Sequence, residues 1–269
     1  MDSSANQDSD RVRPNATEIY ENVKLDAADE LSRSIAALAF SGLFAGATVG
    51  FGALASAATA SALSGQQHAK LIGALFFPIG FIAVIVGRAQ LFTENTLYPI
   101  TLVLDERRHV GATLRLWVIV LAANLVGVCV FALLVVYSGA IPATVVNELV
   151  STGKEATRGE WSAFFWSAIF GGWLLALVAW LVQATPAVIG QIVLIWSLAF
   201  VIGVAGFDHC VSTTAEVLCS VFKGHVEAGH FFSWLAAVVL GNIAGGVLIV
   251  AVLNYGQVRA DDNETQRSR

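Results

Sequence analysis

The stretch Gly203-Val-Ala-Gly-Phe-Asp208-His209-Cys210-Val-Ser-Thr213-Thr214 decides how this chain is read, because it sets an acid, a histidine and hydroxyls inside an otherwise apolar run. Ionisable groups are expensive in lipid and persist where they face a cavity, a bundle interior or a partner. A second such stretch lies earlier, at Arg88-Ala-Gln90-Leu91-Phe92-Thr93-Glu94-Asn95-Thr96. The two are predicted to form the floor and roof of one site.

Composition sets their surroundings. The chain has 269 residues, 56% hydrophobic and 13% charged, with a mean hydropathy of +0.70. A soluble domain carries roughly a quarter charged residues, so this is a membrane protein. Apolar runs of about 20 residues, the length that crosses the hydrocarbon core, follow one another. They predict a single helical transmembrane domain over residues 31–256. An acidic cytosolic tail or surface helix (1–30) precedes it and a polar cytosolic tail (257–269) follows. The first thirty residues have no apolar core of the kind a cleaved secretory signal needs. Cys129, Cys210 and Cys219 all lie in apolar runs and are expected as small packing residues rather than a disulfide framework. The net charge of −5 comes mainly from the N-terminal tail.

Two of the apolar runs are too long for one crossing. Residues 71–104 and 187–222 each exceed the roughly 20 that a span needs, and the surplus in each holds the polar stretches quoted above. They are therefore expected as broken helices, the second and fifth spans. Residues 31–62, 113–137, 161–182 and 231–254 supply the first, third, fourth and sixth, with a polar loop of about twenty residues between the third and fourth. His209 follows Thr93 by 116 residues and Asn242 follows Asn124 by 118, which implies a duplication of three spans. An odd number of spans per copy inverts the second copy, and in inverted repeats the site lies at the midplane where broken helices meet. Counting Lys and Arg with both ends inside puts ten on the cytoplasmic side and four outside, with Arg88 left in the membrane. The expected topology is multi-pass with cytoplasmic termini.

His209 is the leading site candidate. A neutral imidazole can donate a hydrogen bond or lend a proton to an anion, and neutralising an anion removes most of the cost of carrying it through an apolar constriction. The plain alternative is a histidine bonded between helices. Thr93 brings a hydroxyl from the other break that can pair with His209 or with a passing anion, or simply caps freed backbone. Leu91 and Phe92 are expected to form a constriction, or to face lipid. Asp208, adjacent to His209, is expected to hold its break by accepting backbone N–H bonds. Arg88 and Glu94 are expected to neutralise one another or meet a neighbouring subunit, rather than touch substrate. Glu216 lies two turns beyond His209 and either lines the outer mouth of the pore or snorkels. Asn124 and Asn242 are expected to bond across helices near the pore. His68, His109, His209, His225 and His230 have no partners at metal-ligand spacing, so neither metal nor cofactor is expected. No phosphate loop, nucleophilic triad or nucleic-acid partner is indicated.

Together these motifs resemble the formate/nitrite transporter family of bacterial and archaeal inner membranes. Gln90-Leu-Phe-Thr93-Glu-Asn95 resembles the family's acidic-Leu-Phe-Thr-x-Asn break in the second helix, and Gly206-Phe-Asp208-His209 its Gly-Phe-Glu-His break in the fifth. Asn124-Leu-Val-Gly and Gly241-Asn-Ile-Ala-Gly-Gly are similar to its third and sixth helices. The resemblance implies a homopentamer in the inner membrane, each six-helix protomer with its own aquaporin-like pore. It implies passage of small monovalent anions of weak acids, with His209, Thr93, Leu91, Phe92, Asn95, Asp208, Thr213, Asn124, Asn242 and Glu94 at the pore. The sequence departs from the family where Gln90 replaces an acid, Glu94 a small residue, Thr213 an asparagine and Gly172 the fourth-helix asparagine; near Ala156 the family's vestibule lysine has no clear counterpart. The runner-up function is a channel for a small neutral solute or water; an enzyme would need a second titratable group facing His209.

Overall fold

The computed structural model describes residues 14–267, with side chains as far as residue 261, so the outer part of each expected tail lies outside the described residues. Twelve α-helices occur among them and no strand: α1 (Ala16–Ser32), α2 (Ile35–Ala62), α3 (Ala69–Ala74), α4 (Pro78–Val86), α5 (Tyr98–Glu106), α6 (Val110–Tyr137), α7 (Ala143–Ala156), α8 (Trp161–Val182), α9 (Val188–Ala205), α10 (Ser212–Phe222), α11 (Ala228–Ala244) and α12 (Val252–Arg267). Six are long and apolar enough to cross a membrane, counting α3 with α4 and α11 with its continuation. The protein is an all-helical membrane protein of two inverted three-span halves.

The first crossing begins later than hydropathy alone indicates. A capping box closes the start of α1, where Asn15 accepts from the Glu18 N–H at 2.9 Å and the Glu18 carboxylate accepts from the Asn15 N–H at 2.7 Å. The chain then turns at Arg33, and Ser34 caps α2 by accepting from the Ala37 N–H. Helix α1 therefore lies outside the first span and binds the α5 end of the bundle. Its Lys24 ammonium reaches Asp105 at 3.1 Å, the Tyr20 hydroxyl donates to the Thr101 carbonyl, and Arg259 of α12 closes on the same Asp105.

The connection expected as a polar loop is instead helix α7. Val145, Val146, Leu149, Val150 and Gly153 recur at helical spacing and are buried, mostly against α10. The intervening Asn147, Glu148, Ser151 and Thr152 dilute the local hydropathy, which is why the segment reads as loop when hydropathy rather than periodicity is scored.

Glycines make close helix crossings possible in both halves, and two of them correspond. Helix α2 meets α6 where a methyl added at Gly46 would overlap the Asn124 main chain, and α8 meets α11 where one added at Gly172 would overlap the Asn242 main chain. Within lipid, dispersion at such close approaches is a main source of helix association. Gly172, which stands where the resemblance calls for an asparagine, is thus required by packing here. Helix α9 contacts α3, α4 and α8 and otherwise sits at the perimeter, with Val188, Ile189 and Val193 exposed in the isolated chain.

Replacing Gly46 by Leu should force α2 from α6 and lower stability by about 1–3 kcal/mol, the usual cost of overpacking a tight site. The check is heat-induced loss of the monodisperse species from mild detergent, and equal survival of Gly46→Leu and wild type would contradict the crossing described.

Candidate functional site

The site begins with how each broken helix ends. Helix α4 stops at Gly87, and Arg88 adopts a left-handed φ of 53° that sends the chain back into the bundle. Helix α9 stops in the same way at Gly206, φ 67°. For Gly206 that conformation carries little cost; for Arg88 it is strained and must be over-determined by its surroundings. After these turns both chains run without helix to the bundle interior, leaving peptide groups that have neither helical partners nor water.

One asparagine in each half supplies the partners. Asn124, in the middle of α6, accepts from the Phe92 N–H at 2.9 Å and donates to the carbonyls of Gln90 at 2.9 Å and Gly42 at 2.8 Å. Asn242, on α11, accepts from the Cys210 N–H at 2.9 Å and donates to the carbonyls of Asp208 at 3.1 Å and Ala168 at 2.7 Å. The two sets match position by position: each amide ties a break to its own helix and to the helix packed beside it. The break at Asp208 is thus held by Asn242, and not by the Asp208 carboxyl as expected from sequence. The Asp208 N–H donates to Ser167 on α8, a residue the sequence reading did not single out.

The tethers bring the two breaks face to face. His209 Nε2 lies 2.9 Å from Thr93 Oγ1, 116 residues away, and both residues are fully buried. The Nδ1 atom accepts backbone N–H bonds from Val211 at 3.2 Å and Ser212 at 3.0 Å. Two donors aimed at Nδ1 leave no room for a proton there. The imidazole is therefore neutral with its proton on Nε2, directed at Thr93. That leaves the Thr93 hydroxyl hydrogen free to turn towards another acceptor. The His209 N–H is taken up in turn by Thr213 Oγ1 at 3.0 Å.

Apolar groups enclose this pair. Phe81 stands edge-on to the His209 ring at a centroid distance of 5.2 Å, and Leu91 and Phe92 are buried inside the chain rather than turned to lipid. Asn95 is anchored by donating to Gln90 Oε1 at 2.9 Å, while the Trp117 indole donates to its carbonyl at 2.7 Å. Its own Oδ1 is buried without a partner among the described residues.

The expected Arg88–Glu94 pair does not form. The Arg88 guanidinium is 79% exposed and reaches Asp26 of α1 at 3.5 Å. Glu94 is buried in the short 3-10 turn Glu94–Thr96. The left-handed turn at Arg88 separates the two, which spacing along the chain could not reveal. On the opposite side of the His209–Thr93 pair a cavity of 610 Å³ opens, with Asp208 and Thr213 at its floor and Glu216 and Glu148 in its walls. Glu216 lines this cavity, and Glu148 joins it from the unforeseen α7.

A six-span bundle with two inward-broken helices meeting at a buried polar pair defines a membrane channel architecture. A sequence model of the formate/nitrite transporter family matches residues 17–256, and the chain belongs to that family. It is 32% identical over 264 residues to the inner membrane protein YfdC of Escherichia coli (strain K12), covering 97% of this chain and 84% of that one. It is also 32% identical over 232 residues to a probable formate transporter of Methanothermobacter thermautotrophicus, covering 78% and 85% of the two chains. Among solved structures it resembles an FNT family ion channel with a TM-score of 0.73, 22% identity and coverage of 90% of this chain and 96% of that one. A pentameric formate channel with formate bound gives a TM-score of 0.68 at 17% identity, covering 86% and 97%. At those identities the structural likeness establishes the fold.

Because each asparagine amide serves three backbone groups, Asn124→Ala and Asn242→Ala should each cost at least about 2 kcal/mol, the penalty for buried peptide groups left unpaired. The two losses should be similar in size. Thermal survival of the purified variants measures both, and a large loss at only one site would deny the equivalence of the tethers.

Proposed function

We propose that the protein is a channel for small weak monoacids, of the size of formic or nitrous acid, which cross the midplane uncharged past His209 and Thr93. The observation that carries this reading is the 2.9 Å contact between His209 Nε2 and Thr93 Oγ1, made where both helices break, with Phe81 edge-on to the imidazole and Leu91 and Phe92 buried in the same break as Thr93. A bare anion has no charged partner at this point and would meet the full cost of an apolar constriction. A neutral acid fits the hydrogen-bonding groups available: its carbonyl oxygen accepts from Nε2–H or the Thr93 hydroxyl, and its own O–H donates to Thr93 Oγ1. In this reading His209 assists passage as a fixed hydrogen-bond donor. Asn124, Asn242 and Thr213 hold the backbone that presents the pair, Asn95 offers a spare acceptor, and Asp208 and Glu94 flank the passage on its two sides. The chemistry is transport, with no bond broken in the solute beyond an exchange of protons.

The assembly is proposed to be a pentamer with one pore per protomer, in keeping with the pentameric formate channel of the same fold. The exposed apolar side of α9 would then meet neighbouring subunits or lipid. An inner-membrane location, as for the similar YfdC, and cytoplasmic termini agree with the excess of Lys and Arg on that side. Native mass spectrometry in several mild detergents should show five copies, and a cysteine beside Arg107 should resist an impermeant reagent applied outside intact cells. Exclusively monomeric protein, or rapid outside labelling, would refute these two statements respectively.

Flux of labelled formate, nitrite and acetate into proteoliposomes tests the function. Wild type should carry at least one of them, and His209→Phe, which fills the site without a donor, should reduce that flux by at least tenfold while the protein stays monodisperse. If wild type moves a neutral solute or water and none of these acids, the pore belongs to the neutral-solute class instead.

A further inference from the structure

The His209 imidazole offers no route for supplying a proton to an incoming anion, because recharging Nδ1 would displace two backbone N–H donors, from Val211 and Ser212. If the solute crosses as a neutral acid, its proton must be acquired before it reaches the constriction. The 610 Å³ cavity is the space in which that can happen, since its lining includes Thr213, the residue whose Oγ1 accepts the His209 backbone N–H.

The charges around this cavity are unusual for a site that receives anions. Lys70 is taken by Glu155 at 2.7 Å. Among the described lining residues this leaves three carboxyl groups, Glu148 on α7, Asp208 at the break and Glu216 on α10, against the single cation Arg158. Cys219 is the other titratable group close to Glu216, on the same helix, and α2 brings only Ser56, Ala57 and Ala60 to the cavity. Three ionised carboxylates would turn an anion away, so a proton held among them is a condition for admitting one.

Glu216 is the carboxyl best placed to hold and give that proton. It is 8% exposed and lines the cavity, yet makes no hydrogen bond to any described residue. Its main chain is wedged against Gly153 of α7, where a methyl would overlap the Glu216 carbonyl, so the backbone beneath the carboxyl is fixed. Packing alone would be served as well by an apolar side chain. A buried acid with no structural partner, open to a cavity above the pore constriction, is a functional group by default.

We propose that Glu216 is the proton donor that neutralises weak-acid anions in the cavity before they pass His209, an inference that rests on the weak-acid reading above. The O–H bond of the Glu216 carboxyl breaks as an O–H bond forms on the substrate anion. The neutral acid moves to the His209–Thr93 pair, and the Glu216 carboxylate takes a proton from water at the cavity mouth. Charge and protons balance, and no other reactant is needed.

The experiment uses the full-length protein in proteoliposomes with labelled formate at external pH 7 and pH 5. Glu216→Gln should carry about tenfold less than wild type at pH 7 and come closer to it at pH 5, where more of the substrate is already protonated. Glu216→Asp should recover at least half of the wild-type flux. Independently of any variant's folding, a hydrophobic carbodiimide, which reacts with protonated carboxyl groups in apolar surroundings, should modify Glu216 of the wild type at pH 7 and stop formate flux. Wild-type flux and pH profile in Glu216→Gln, faster flux in that variant, or unmodified Glu216 in carbodiimide-treated protein would each overturn the donor role alone. Wild-type protein that carries methylammonium and no weak acid would overturn the weak-acid reading and this inference together.

Discussion

The structure depends on a single kind of interaction made twice: an asparagine amide that takes in the peptide groups of a chain broken inside lipid. A helix interrupted in the membrane exposes N–H and C=O groups that have no water to turn to, and each carries a penalty comparable to a lost hydrogen bond. Asn124 and Asn242 each accept one N–H and donate to two carbonyls, drawing a break, its supporting helix and the adjacent crossing together. Because the acceptor carbonyls Gly42 and Ala168 lie on the helices that cross most closely, tight packing and polar satisfaction reinforce one another. The His209–Thr93 pair follows from this: Thr93 lies next to a tethered residue, His209 between two, and neither would be held in place by its own bond alone.

The histidine gains its chemical character from the same arrangement. Backbone donors at Nδ1 fix one tautomer, so the ring presents its N–H to Thr93. The carboxyl groups of Glu148 on α7 and Glu216 on α10 line one cavity beside it, and α7 packs against α10 at that end of the bundle. At the other end α1 is tied through Asp26 to Arg88 at the first break, and through Lys24 and Tyr20 to α5 beyond it. A division emerges between a rigid, uncharged centre and charged ends.

Membrane class, six crossings, two broken helices and the pairing of Thr93 with His209 were all legible in the sequence. Hydropathy responds directly to the absence of water, and a polar residue in lipid is rare enough to be noticed one at a time. The recurrence of matching residues at offsets of 116 and 118 positions carried the inverted repeat, and the quoted motifs carried the family. Length and composition thus determined the topology, because a bilayer allows a chain so few ways to cross it.

Direction in space was beyond that reach. The sequence placed Arg88 six residues from Glu94 and made a pair of them; a left-handed turn at Arg88 sends one to α1 and the other into the bundle. It placed Asp208 at its break as the holding group, whereas the amide of Asn242, 34 residues on, has the geometry to serve both a donor and an acceptor. It gave no sign that Glu148 and Glu216 share one cavity, since that juxtaposition exists only once α7 folds as a helix against α10. Periodicity and hydropathy report how each residue meets its solvent, which the sequence by itself determines. Which side chain satisfies which buried peptide group depends on turns and crossings between distant segments, and only the tertiary structure decides those.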